Sequence, residues 1–85
     1  MSKKQKLLEQ VMNSQKNVRF DDLVLLATYF GFALERVTGS HHLMRHQTLS
    51  LKLNVQSVKG QAKPYQVRQL LVIAEQHQLR IEEET

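Results

Sequence analysis

The chain has 85 residues, no cysteine, and twelve Lys and Arg against eight Asp and Glu, for a formal net charge of +4. A chain this short is one domain with a thin core, which excludes a cavity enclosed between two domains. The lack of cysteine excludes a disulfide framework and a thiolate zinc site. No apolar run approaches the roughly 20 residues that span a bilayer. No apolar segment behind the N-terminus has signal-peptide length, so the expectation is a soluble, cytoplasmic protein without membrane attachment.

In chain order, residues 3–13 repeat apolar side chains four apart, Leu7 with Val11 and Leu8 with Met12, and predict a helix with a lysine-rich outer face. Asn13 to Asn17 is a polar break. A second helix is expected from Asp21 as its N-cap, with Phe20 stapled onto Leu25 and Leu23, Val24, Leu26, Ala27 and Phe30 as a wide apolar face. Gly31 ends it. Phe32 to Thr38 reads as a strand of imperfect alternation, Gly39-Ser40 as a turn, and His41 to His46 as a second strand.

From Leu49 the pattern is cleaner. Leu49, Leu51, Leu53 and Val55 alternate with Ser50, Lys52, Asn54 and Gln56, as in a strand with one buried and one wet face. Gln56 to Lys63 is expected to be a loop. Pro64 suits the first position of a last helix, with Val67, Leu70, Leu71 and Ala74 on its apolar side. His77 sits near its end, where the helix dipole favours a histidine. The predicted order is helix, helix, three strands, helix. That is an α+β two-layer sandwich whose three-stranded antiparallel sheet is covered by helices on one face and open on the other.

Charge is distributed unevenly along this frame. Between Arg36 and Ala74 the chain carries Arg36, Arg45, Lys52, Lys59, Lys63 and Arg68 and no Asp or Glu. Three of the four histidines, His41, His42 and His46, lie in the same stretch. A surface of one positive sign attracts polyanions. A neutral imidazole takes up a proton near physiological pH. RNA carries its own nucleophile, the 2′-hydroxyl, so one histidine and a few cations would suffice for slow cleavage. Ordinary surface histidines on an edge strand are the plain alternative. A metal site is disfavoured: His42 and His46 share a strand face but lie roughly 13 Å apart at about 3.3 Å per residue, and His41 points the other way. No Gly-rich phosphate loop and no carboxylate that would complete a triad with His41 is present in the segment. Tyr65 is expected to pack at the start of the last helix rather than stack on a base.

The run Glu35-Arg36-Val37-Thr38-Gly39-Ser40-His41-His42-Leu43-Met44-Arg45-His46 resembles the signature of the HicA toxin family, a Gly-Ser-His-His motif opening the second strand, then an apolar pair, a basic residue and another His. Residues 63–71, Lys63 to Leu71, resemble the start of that family's last helix, and the resemblance covers about residues 20–78. Gln47 stands where the family commonly has Pro, and Asn54-Val55 closes the third strand where Val-Pro is common. The resemblance implies a double-stranded-RNA-binding-domain-like fold, with residues 3–13 as an extra N-terminal helix, residues 20–78 as the core and residues 80–85 as a frayed tail of one domain spanning 1–85. It implies an endoribonuclease that cuts messenger RNA and stops growth, and a HicB-type antitoxin as protein partner; with the metal site disfavoured above, the expectation is cleavage without cofactor or metal. The catalytic position falls on His41, with His42 in reserve. Gly39, Ser40, Arg45, His46, Lys52 and Lys63 are the candidate RNA contacts. A non-catalytic RNA-binding module of the same shape and a protein-interaction domain are the alternative readings.

Overall fold

The computed structural model describes residues 2–81. The elements run α1 (Lys3–Asn13), α2 (Phe20–Tyr29), β1 (Phe32–Thr38), β2 (His41–His46), β3 (Lys52–Val58), β4 (Gln61–Ala62) and α3 (Pro64–Gln76). The strands form one antiparallel sheet in the order β1-β2-β3-β4. The α+β class is as expected, but the sheet has four strands, not three.

The fourth strand lies in the segment expected to be a loop. Lys59 and Gly60 both have positive φ, 53° and 79°, the signs a two-residue type I′ hairpin turn requires. Val58 then pairs with Gln61 and Ser57 with Ala62. Lysine replaces the Asn or Asp that normally marks such a turn, which hides it in the sequence. The far edge of β4 is used as well. The Ala62 N–H donates to the Val18 carbonyl at 2.9 Å, and the Phe20 N–H donates to the Gly60 carbonyl at 3.0 Å.

That last bond changes how α2 begins. Arg19, not Asp21, holds the N-cap position, and it makes no side-chain capping bond. The sheet end thus satisfies the first of the helix's exposed donors, the Phe20 N–H. Phe20 becomes the first helical residue and is buried, whereas Leu25, its expected staple partner, is exposed. Asp21 and Asp22 lie in the first turn, where the helix dipole favours negative charge. By contrast α1 does have a cap: the Gln5 N–H donates to Ser2 Oγ at 3.2 Å.

The imperfect alternation of β1 has a structural cause. Its register against β2 slips between Leu34 and Arg36, leaving a bulge at Glu35. After the slip, Leu34 and Val37 share the helix-covered side of the sheet, paired with Met44 and His42. Strand β3 starts at Lys52 rather than Leu49, because residues 47–51 form a loop closed by the His46 N–H donating to the Leu51 carbonyl at 2.9 Å.

All three helices pack on one face. Val11 of α1, Leu23 and Leu26 of α2 and Val67 and Leu70 of α3 join Phe32, Met44, Leu53 and Val55 of the sheet in one buried cluster. Each such aliphatic side chain contributes about 1.5–3 kcal/mol by leaving water. The end of α3 is closed by a left-handed Gln78 (φ 54°), with the Leu79 N–H reaching back to the Ala74 carbonyl and the Gln78 N–H to that of Glu75. This is the Schellman arrangement, and it places His77 at the C-cap. It returns the chain to the core, where Ile81 is buried. The start of the tail expected to fray is therefore anchored; residues 82–85 lie outside the described residues. No described helix is long and apolar enough to cross a membrane.

One buried polar side chain fixes how α3 meets the sheet. Because β4 covers only the end of β3, the backbone of residues 54–56 needs another partner. Gln66 supplies it: its Oε1 accepts from the Gln56 N–H at 2.9 Å, and its Nε2 donates to the Asn54 carbonyl at 3.4 Å. The side chain stands in for a strand neighbour. Gln66→Leu would leave both strand groups without their partner, at about 1–3 kcal/mol. Urea unfolding is expected to show that loss, with a lowered midpoint and an unchanged slope.

Candidate active site on the open sheet face

The Gly39-Ser40 turn decides which histidine faces solvent. Thr38 pairs with His41 across it, a two-residue hairpin connection. Gly39 has φ +60°, whereas Ser40 has no positive φ. Those are the signs of a type II′ turn, in which the first central residue is normally glycine. His41 therefore opens β2 on the face away from the helices. His42, Met44 and His46 alternate onto the covered face, where Met44 is buried.

Three rows cross the open face. Thr38, His41 and Gln56 form the first; Arg36, Leu43 and Asn54 the second; Ala33, Arg45 and Lys52 the third. His41 is exposed, and its ring makes no hydrogen bond to another described residue. Beside it, Gln56 Nε2 donates to Ser40 Oγ at 3.2 Å, so the serine hydroxyl and the glutamine amide flank the imidazole as one unit. The Ser57 N–H donates to the Ser40 carbonyl at 3.1 Å and ties the turn to β3.

Arg45 and Lys52 share the open face with His41 but not its row. Four residues separate them from it along the strands, about 13 Å at ~3.3 Å per residue. Arg45 Nε donates to Glu35 Oε1 at 2.8 Å. Glu35 is the sole carboxylate on the four strands. Lys63 and Tyr65 lie on the other side of β3 from His41, at the start of α3. There Lys63 Nζ stands 5.9 Å from the centre of the Tyr65 ring. Tyr65, expected to be packed, is 55% exposed; Gln66, next to it, takes the inward position.

The other two strand histidines are built into the fold. The His42 ring packs edge-on against Phe20, with centroids 4.7 Å apart. Its Nδ1 is buried without a hydrogen-bond partner among the described residues. His46 has both nitrogens engaged. Nδ1 accepts from the N–H groups of Thr48 at 3.2 Å and Leu49 at 3.1 Å, so Nε2 carries the proton and donates to the Phe30 carbonyl at 3.1 Å. Its ring also meets Phe32 edge-on at 5.2 Å. His46, expected among the RNA contacts, thus serves the β2–β3 loop and the end of α2 instead. Among the described residues no three His, Cys, Asp or Glu side chains gather in one place.

Two contributors were not singled out from the sequence. In the sequence Gln56 is only a wet-face residue, and its role comes from pairing opposite His41. Arg36 is there only one charge among several, and its place beside Leu43 depends on the bulge at Glu35. No family model, no curated protein and no solved structure matches the chain.

Proposed function

We propose that the protein is an endoribonuclease of the HicA toxin type, cutting messenger RNA in the cytoplasm on its open sheet face and held in check by a HicB-type antitoxin. The double-stranded-RNA-binding-domain-like arrangement belongs to the same reading. The observation that supports it best is the separation of the histidines. His41 alone faces solvent on the cationic side, flanked by Ser40 and Gln56, whereas His42 and His46 face the helices.

In this reading neutral His41 takes the proton of a ribose 2′-hydroxyl. The 2′-oxygen attacks the adjacent phosphorus, and the bond from phosphorus to the 5′-oxygen breaks. The leaving oxygen takes a proton from solvent, which reaches this exposed face. The products are a 2′,3′-cyclic phosphate and a 5′-hydroxyl. The Ser40 hydroxyl and the Gln56 amide lie where they donate to the phosphoryl oxygens as charge develops. Gly39 shapes the turn that carries them, and Arg45, Lys52 and Lys63 hold flanking phosphates.

The mechanism is tested with one RNA made in two forms, unmodified and 2′-O-methylated at the cut site alone. The unmodified strand is expected to yield a cyclic-phosphate end, and the methylated one to stay intact at that site. Cleavage at the methylated position would overturn the use of the 2′-hydroxyl.

A further inference from the structure

The second and third rows of the open face hold more than a spread of surface charge. Glu35, Arg36, Leu43, Arg45 and Lys52 line a shallow depression of about 350 Å³. Three cations and one carboxylate surround it. The carboxylate is spent on Arg45, through Nε, which holds the guanidinium in place and leaves its terminal nitrogens to grip an anion. Arg36 and Lys52 have no carboxylate partner among the described residues. Leu43 is half-buried at the floor, an apolar surface on which a ribose or base can rest.

Position gives this depression its meaning. It begins at the row next to His41 and ends at the Arg45–Lys52 row, roughly 7–13 Å along β2 at ~3.3 Å per residue. That is too far for all three cations to serve the phosphate being cut. The bulge at Glu35 brings Arg36 onto this face, opposite Leu43. A flat sheet face receives unpaired bases, whereas a duplex keeps its base faces stacked inside.

We infer that this depression is a second phosphate subsite, which binds the backbone of single-stranded RNA away from the scissile bond and sets a minimum substrate length of about three nucleotides. The inference rests on the ribonuclease reading above. Binding energy gathered there holds the strand in register so that one 2′-hydroxyl lies at His41.

The test uses oligoribonucleotides of two to six nucleotides around one cut site, extended on either side, with the wild-type chain and Arg36→Gln. In the wild type, kcat/KM is expected to rise at least about tenfold when the added nucleotide reaches the depression. In Arg36→Gln that length dependence should collapse. A wild-type rate independent of length, or a length dependence that the variant preserves, would overturn the subsite while leaving the ribonuclease reading intact. Cleavage of no RNA at all would strike the parent reading instead. The subsite is then judged by binding of a six-nucleotide single strand, followed by fluorescence anisotropy across salt concentrations. Loss of one phosphate contact should flatten the logarithmic salt slope by about 0.7; an unchanged slope, or tighter binding of a duplex of the same length, would overturn it.

Discussion

Gly31→Ala should be the most destabilising single-methyl change in the chain. Gly31 has φ +102°, and a Cβ built there would lie 2.7 Å from Nε2 of His46 and 3.3 Å from both neighbouring ring carbons. The ring cannot swing away freely, because it holds the Phe30 carbonyl on one side and the Thr48 and Leu49 N–H groups on the other. Two costs combine. An L-residue at this φ is strained by about 1–3 kcal/mol, and displacing the imidazole forfeits bonds worth about 1 kcal/mol each. A small domain has only ~5–15 kcal/mol in hand, so a loss of about 3 kcal/mol or more is a large share. Gly39→Ala is the control: it also has positive φ, but a Cβ there meets nothing within 4 Å. Urea denaturation of both variants should show the Gly31 change as clearly the worse. Equal losses would mean that the His46 clip contributes nothing.

The same clip shows where sequence reading reached its limit. Period-two alternation places His42, Met44 and His46 on one face, and the buried Met44 shows that this face is inward. That a histidine there would use both nitrogens on backbone from two other segments depends on tertiary placement, which no local pattern carries. Strands β1 and β2 were legible to the residue because Gly31 and Gly39 punctuate them and the Gly-Ser turn fixes their register. Strand β4 was not, because it is only two residues long and its turn begins with lysine. Gln66 left a faint signal: it lies four residues before Leu70, on the apolar stripe of α3, where a polar residue calls for a buried partner. The slip at Glu35 was visible as broken alternation in β1, but which residues it would bring to the open face required the pairing with β2.

His41→Ala carries the largest expected effect on activity. The side chain lies on the open face, exposed and without a hydrogen bond to another described residue, so its removal costs the fold little. General-base catalysis contributes typically 10²–10⁴-fold, and cleavage should fall by about that factor. RNA affinity should hardly change, because Arg36, Arg45, Lys52 and Lys63 carry the phosphate contacts in this account. His42→Ala acts differently. It removes a ring packed on Phe20 and should lower stability before it touches the chemistry. That split distinguishes a catalytic histidine from a structural neighbour one residue away.

The most direct measurement follows one labelled single-stranded RNA, with binding and cleavage read on the same preparations of the wild-type chain and of His41→Ala. Both should bind with affinities within a few-fold of each other, and only the wild type should release fragments ending in a cyclic phosphate. Equal cleavage by the two proteins would contradict this, and so would binding without cleavage by the wild type, which would make the domain an RNA-binding module.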